Sequence, residues 1–376
     1  MRRSFPSKCE QSKNKRADHE TVFGFPLVTS YMMGNMHSPT MHSSERHSMT
    51  AFSILDLCPI VEGGTVSDAL AATPLMAKRA EDAGYTRFWL AEHHGMKGIA
   101  SAATALVIAE AGHATSTIRI GSGGIMLPNH SPLVIAEQFG TLEALFPGRV
   151  DLGLGRAPGT DMNTARALRR NLETGAQSFP DDILELQHWL GEPDDTKLIA
   201  IPGAGSHVPL WILGSSIYSA HLAAALGLPY AFASHFAPDM LLEALEIYRD
   251  KFTPSAQLDK PFVMAAVMGV MADTDDEAAH LFTTLQQTFV NMRRNTRGKM
   301  PPPIESMDGY WNEMEKINVD HMLRYSVVGG PESAKAQMQD FIKATKADEI
   351  MISMPIHSLD ARLKSVDLFG KLREAL

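Results

Sequence analysis

Short apolar runs alternate with longer amphipathic stretches from residue 49 to the carboxyl end of this 376-residue chain. Several of the runs are apolar throughout, which is typical of strands that are covered on both faces. Eight strands are predicted, at residues 53–57, 86–92, 118–127, 150–155, 210–214, 230–234, 262–271 and 349–354. The most apolar run has eleven residues and is too short to cross a bilayer, which takes about 20.

Helical segments lie between the predicted strands. Thr73 and Pro74 are predicted as the N-cap and first residue of one helix, because proline needs no N–H there. This helix is expected to end at Gly84, a residue suited to the position after a helix. Further helices are predicted over residues 132–145 and 332–346.

Eight strands in alternation with helices favour a parallel sheet, and their number favours a closed (β/α)8 TIM barrel. The alternative is an open doubly wound sheet. Its usual dinucleotide fingerprint, G-x-G-x-x-G, is missing, although the chain is glycine-rich at residues 121–124 and 153–155.

Two long segments have no clear period, at residues 157–182 and 290–326. The second is an insertion late in the barrel, rich in proline and basic residues. It is interpreted either as a lid over the site or as a solvated loop.

Residues 1–48 differ from the rest, because basic, acidic and small polar residues occur there without an apolar period. They are expected to form a disordered N-terminal extension, or to result from the choice of start site, since Met49 directly precedes the first strand. The predicted organisation is therefore an extension over 1–48 and one barrel domain over 49–376. No apolar signal-peptide core follows the first residues.

Composition restricts the function. Apolar residues make up 44% of the chain, which provides for a large core and excludes general disorder. The net charge of -9 argues against a nucleic-acid partner, and no membrane span is predicted. Two cysteines, Cys9 and Cys58, form no disulfide framework, and a reducing, cytoplasmic location is the simpler interpretation.

In a barrel, functional residues lie at the carboxyl ends of the strands. His93 and His94 end the second strand, and imidazole suits acid–base work near neutral pH. Neighbours on an extended chain point in opposite directions, so one of the two is expected to face the mouth, and His93 is preferred. Backbone hydrogen bonding is the alternative for both. No zinc-ligand spacing accompanies them, and no metal is expected.

Three further clusters pass the same filter. Gly123 and Gly124 end the third strand, where a glycine pair indicates either a close approach by a ligand or backbone, or a bulge. Arg156 follows the fourth strand and Arg166 lies ten residues on, and both are candidates for phosphate or for surface ion pairs.

The third cluster follows the fifth strand. It consists of Ser215, Ser216 and Ser219, which open a helix and provide either an anion site or ordinary capping.

Several of these segments together resemble the bacterial luciferase-like flavin monooxygenases. They are Ala-Glu-His-His at 91–94, Gly-Ser-Gly-Gly-Ile-Met-Leu-Pro at 121–128, Phe-Pro-Gly-Arg at 146–149, Gly-Arg at 155–156, and the run at 159–168. The resemblance covers about 49–376. It is closer to the single-chain group 1 oxidoreductases than to a luciferase subunit.

The resemblance implies a barrel that binds reduced FMN. His93 would then be the active-site histidine, and Gly123 and Gly124 would match a non-proline cis peptide under the flavin ring. The FMN phosphate would be bound by Arg156, Arg166, Ser215, Ser216 and Ser219. Luciferase carries an acidic residue at the position of Ser215 and a cysteine at that of Gly155, and these departures argue against light emission.

The implied activity is that of an FMN-dependent monooxygenase on paired donors. Reduced FMN and O2 would form a C4a-hydroperoxide that transfers one oxygen atom to a small organic substrate. No NAD(P)H fingerprint is visible, so a separate flavin reductase is expected as partner, and the family also suggests a homodimer.

Two alternatives remain open. One is an F420-dependent oxidoreductase, in which the basic run at 293–299 would bind the longer acidic tail of F420. The other is a non-catalytic flavin-binding protein, against which the presence of His93 argues.

Overall fold

A computed structural model describes residues 50–157, 162–168, 177–193 and 198–376. Eight parallel strands close into a ring in this part of the chain, because β6 pairs with β7 and β9 pairs with both β7 and β1. The ring strands are β1 (Ala51–Asp56), β2 (Arg87–Leu90), β3 (Arg119–Met126), β4 (Val150–Gly155), β5 (Leu210–Gly214), β6 (Tyr230–Phe232), β7 (Val263–Met271) and β9 (Glu349–Ser353).

The closed ring confirms the predicted TIM barrel and excludes the open sheet. Each of the eight predicted segments overlaps one ring strand, and the ends differ by at most two residues. A ninth strand, β8 (Val327–Gly329), was not predicted. It pairs with the carboxyl end of β7 outside the ring.

Helices surround the ring. In the described ranges they are α1 (Val66–Asp82), α2 (Thr104–Ala114), α3 (Pro132–Leu145), α4 (Met162–Ala167), α5 (Phe179–Leu190), α6 (Ile217–Leu226), α7 (Leu241–Lys251), α8 (Asp275–Arg293), α9 (Glu313–Met322), α10 (Pro331–Thr345) and α11 (Leu359–Glu374). The predicted helices 132–145 and 332–346 correspond to α3 and α10. Within these ranges, every helix is too short or too polar to cross a bilayer.

The predicted start of α1 is wrong. The helix begins eight residues earlier, after Thr65, which forms a capping box with Asp68. Pro74 lies inside the helix, and the Thr73 hydroxyl donates to the carbonyl of Ala69, as interior threonines often do. The capping box satisfies two N–H groups at the start of the helix, and the buried side chains of Ala69, Met76 and Ala80 hold it to the barrel on both sides of Pro74. Gly84 follows the helix with φ +76°, as predicted.

The late insertion is not a plain solvated loop. Helix α8 extends to Arg293, and the ten residues of α9 lie within the segment 290–326. Met307, Val319 and Leu323 are buried against Phe289 and Val290. The earlier segment, 157–182, contains α4 and the start of α5; residues 158–161 and 169–176 in it, and the extension 1–48, lie outside the described residues.

The floor of the barrel, at the amino ends of the strands, is a buried charged network. Arg87 binds Asp151 at 2.6 Å (Nη1–Oδ2) and Glu349 at 3.0 Å (Nε–Oε1). Arg119 binds the same Asp151 at 2.6 Å (Nη2–Oδ1). Asp151 and Glu349 are almost fully buried, so paired charges close this end of the ring.

A layer of large side chains lies above the floor inside the ring. Trp89 donates from Nε1 to Asp151 at 3.2 Å, and its ring meets that of Trp211 edge to face. Leu55, Met264 and Met351 complete the layer. The floor and this layer leave the carboxyl ends of the strands as the open side, where the predicted site residues lie.

Candidate active site

The two adjacent histidines after β2 point in different directions. His94 Nε2 lies 2.6 Å from Glu92 Oε1, beside the outer wall of the mouth. His93 is half-buried, and its charge acts on His235, which follows β6. Strands β2 and β6 are opposite each other in the ring, so the two side chains interact across the mouth. His93 is therefore the one that faces the mouth, as the alternation predicts.

Glu92 joins three elements at the rim. It is fully buried, and its Oε1 also lies 2.7 Å from His130 Nε2, while Oε2 accepts from the Met126 N–H at 3.0 Å. Burial raises the Glu92 pKa, but the hydrogen bonds with His130 and His94 outweigh it and lower the pKa on balance. The carboxylate therefore stays charged and fixes the end of β2 against β3.

The same three side chains form a group that is compact enough for a metal ion. Around a tetrahedral zinc with ligands at about 2.0–2.1 Å, ligand atoms would lie roughly 3.3 Å apart. The Nε2–Oε1 distances of 2.6 and 2.7 Å are those of hydrogen bonds. Glu92, His94 and His130 therefore form a hydrogen-bonded cluster.

Gly123 and Gly124 are joined by a cis peptide bond, as the resemblance implies. The pairing of β3 with β4 shifts register between Ser122 and Ile125. A Cβ atom on Gly124 would lie 2.6 Å from the carbonyl oxygen of Gly153, and one on Gly123 would lie 2.6 Å from a methyl of Leu55. Both a bulge and a close backbone approach therefore explain the pair, without reference to a ligand.

Arg156 directly follows β4, and its side chain lies beside the start of α6. Its guanidinium is 4.2 Å from the centre of the Tyr218 ring, a contact that the sequence did not predict. Ser216 is the N-cap of α6, but its side chain makes no capping hydrogen bond among the described residues. An exposed arginine thus stands beside the N–H groups of a helix start, which is an arrangement suited to phosphate.

The remaining phosphate candidates are placed differently. Ser215 is partly buried next to Ser216. The Ser219 hydroxyl is already engaged, with the carbonyl of Ser216 at 2.7 Å and the Tyr230 hydroxyl at 2.9 Å. It shapes the start of α6 and offers little to a ligand. Arg166 is exposed on α4, and no contact joins it to Arg156 in the described residues.

Helix α4 nevertheless borders the mouth. A Cβ atom on Gly95 would lie 2.7 Å from the Thr164 hydroxyl, so α4 packs against the chain that follows His94. The helix that carries Arg166 therefore lies beside the segment that carries His93 and His94.

Sequence reasoning missed His235. It directly follows the predicted strand 230–234, and the filter that selected His93 would also have selected it. The side chain is 7% exposed, and its Nδ1 has no hydrogen-bond partner among the described residues. Burial and the nearby His93 lower its pKa to about 4, so the ring is neutral near pH 7.

This fold is a (β/α)8 barrel, and the polar groups at the carboxyl ends of its strands form a candidate ligand site. The profile of the family described as luciferase-like monooxygenase matches residues 50–348. The chain belongs to this family.

Individual relatives agree with that assignment. A luciferase-like monooxygenase of Escherichia coli K12 is 50% identical over 327 residues, which cover 87% of this chain and 98% of that protein. An N-acetyl-S-alkylcysteine monooxygenase of Bacillus subtilis is 36% identical over 58% of this chain and 68% of its own length. The crystal structure of apo-MsnO8 matches with a TM-score of 0.78 and 32% identity, over 87% of this chain and 99% of that chain.

More distant structures share the fold. A type II Baeyer–Villiger monooxygenase in complex with FMN matches with a TM-score of 0.63 at 18% identity, over 86% of this chain and 97% of that chain. An F420-dependent secondary alcohol dehydrogenase matches with 0.61 at 14% identity, over 86% and 98%. Structures that share this fold therefore include FMN and F420 enzymes.

Proposed function

We propose that this protein is a flavin-dependent monooxygenase that uses reduced FMN and O2 to oxygenate a small organic substrate. The observation that carries the proposal is Arg156 stacked on Tyr218 at the N-terminus of α6. Family membership supports the reaction class. The oxygen chemistry would belong to the bound flavin, whose C4a-hydroperoxide transfers one oxygen atom to the substrate.

The residues of the chain would bind and orient this cofactor. Arg156 and the N–H groups of Ser216 and Ile217 would hold the phosphate, and Ser215 and Arg166 would complete its surroundings. Ser219 would act indirectly, by fixing the helix start. Gly123 and Gly124 would line the ring site from β3, and His93 would manage a proton at the reacting face. Surrounding walls would exclude water from the site.

The contacts that the basic run at 293–299 makes within the protein favour FMN over F420 as the cofactor. Arg294 forms two 2.7 Å contacts with Glu315, and Lys299 donates to the carbonyl of Gly64 at 2.6 Å. Arg294 and Lys299 therefore stabilise the insertion. This leaves fewer basic side chains for the acidic tail of F420 than the sequence alone indicates. An F420-dependent oxidoreductase is the second candidate, because that cofactor occurs on the same fold.

We further propose two partners, a flavin reductase that supplies reduced FMN and a second copy of this chain. Large apolar side chains are exposed on the three successive helices α1, α2 and α3, where a homodimer would bury them. They include Leu75, Leu106, Val134 and Leu145, which are 54%, 72%, 43% and 52% exposed.

Anaerobic titration with reduced FMN and with reduced F420, followed by mixing with O2, tests the proposal. Reduced FMN should bind more tightly, and a transient absorbance should precede oxidised flavin. His93→Ala should shorten the lifetime of that transient, with His113→Ala on the exposed face of α2 as the control. Tight binding of F420 without FMN would instead indicate hydride transfer, and identical behaviour of wild type and His93→Ala would indicate a non-catalytic flavin-binding protein.

A further inference from the structure

His235 is a buried polar side chain that has no role in the chemistry proposed above. It lies in the turn after β6, and hydrogen bonds join this turn to the neighbouring strands β5 and β7. The Ala233 N–H donates to the carbonyl of Gly214 on β5 at 2.9 Å, and the Ser234 hydroxyl donates to the carbonyl of Ala266 on β7 at 2.6 Å. The position of His235 is therefore set by both neighbouring strands.

The imidazole carries an unsatisfied buried atom. His235 is 93% buried, and Nδ1 has no hydrogen-bond partner among the described residues. Leaving a buried polar atom without a partner destabilises the folded protein. Native proteins keep few such atoms, and each requires an explanation. At the mouth of a barrel, a ligand is the natural source of the missing hydrogen bond.

His235 also faces the right space. Its interaction with His93 crosses the mouth, since β2 and β6 lie opposite each other. The neutral ring offers one donor and one acceptor nitrogen. Whichever tautomer is present, Nδ1 can pair with a polar atom of a ligand that enters between the two histidines.

Its neighbours point to the flavin as that ligand. Gly214, to which the His235 turn is bonded, directly precedes Ser215 and Ser216 at the proposed phosphate site. Strand β6 is the neighbour of β5, and a flavin ring that reaches His93 enters the space between His93 and His235. We propose that His235 is a flavin-binding residue whose Nδ1 forms a hydrogen bond with the bound cofactor, an inference that rests on the proposed function.

Two substitutions separate this role from a structural one. His235→Leu removes the polar atom, while His235→Asn keeps a polar atom close to the position of Nδ1. His113→Leu is the matched control, because His113 is an exposed histidine on the outer face of α2. Dissociation constants for FMN and riboflavin, together with the Tm of each protein without ligand, are measured for all four proteins.

The loss of one hydrogen bond should weaken FMN binding by His235→Leu about three- to tenfold. His235→Asn should bind within about threefold of wild type, and the control should be unchanged. The Tm of His235→Leu without ligand should equal or exceed that of wild type, because an unsatisfied atom has been removed.

Unchanged FMN binding by His235→Leu, with normal binding by wild type, would overturn this inference alone. A lowered Tm in both His235 variants with unchanged FMN binding would assign a structural role instead. Failure of wild type to bind FMN at all would overturn the proposed function, and the inference with it.

Discussion

The guanidinium of Arg156 lies 4.2 Å from the centre of the Tyr218 ring, so the residue that follows β4 is held against the first turn of α6. The ring limits the positions of an otherwise exposed cation beside the helix N-terminus. An arginine fixed in this way loses less conformational entropy when it binds a phosphate.

Arg156→Ala should therefore weaken FMN binding about 10- to 100-fold and leave riboflavin binding nearly unchanged, because only FMN carries the phosphate. Tyr218→Leu keeps the charge and loses the stacking, and a two- to fivefold loss of about 0.5–1 kcal/mol is expected. Fluorescence titrations with both flavins measure these effects. Arg297→Ala, at an exposed arginine of the basic run, is the control. Equal losses for FMN and riboflavin would contradict the phosphate role.

Gly124→Ala should destabilise the barrel, because the added methyl would lie 2.6 Å from the carbonyl oxygen of Gly153. Backbone at that position cannot move without disturbing β4, and overpacking of this kind costs about 1–3 kcal/mol. Urea denaturation followed by circular dichroism measures the change. Gly298→Ala is the matched control, since its Cβ would have no atom within 4 Å. Equal midpoints for the two variants would show that β3 and β4 can separate at this site.

The thiol of Cys58 should make stability depend on alkaline pH. Burial, followed by the charge of Asp56, raises the pKa of this thiol from 9.0 to about 11. Between these values the unfolded chain releases the thiol proton and the folded chain keeps it. Stability is therefore retained below about pH 9 and falls by about 1.4 kcal/mol per pH unit as the pH approaches 11.

The comparison of wild type with Cys58→Ala isolates this contribution, because Cys9 and all tyrosines and lysines are common to both proteins. The difference in unfolding free energy between pH 8 and pH 10.5 should be smaller for Cys58→Ala. Parallel pH profiles would show that the folded protein titrates Cys58 like an unfolded chain.

The strands were predictable because burial on both faces leaves a plain apolar run, as in Val263–Met271. Strand β8 could not be predicted in this way. It lies outside the ring and pairs only with the carboxyl end of β7. The start of α1 was misplaced because a proline rule was preferred to the capping box at Thr65, although both signals are local.

The residues of the candidate site were harder to predict from the sequence than the strands. The position of His93 after a strand was sufficient to select it, and the same reasoning extends to His235. Sequence could not reveal that His235 Nδ1 lacks a partner among the described residues, or that the Ser219 hydroxyl is already bonded to Tyr230. Both facts depend on how distant strands meet, and they decide which polar groups remain available to a ligand.

In the described residues, the charged floor closes the amino end of the ring, and the site opens at the carboxyl ends of the strands. Asp151 and Glu349 are held by arginines at one end, and Trp89 and Trp211 fill the space above them. A molecule that reaches the histidines has to come in, and leave again, past the same rim. A cofactor and a substrate that both bind at the histidines would therefore use the same opening, and the segments that form the rim would control access for both.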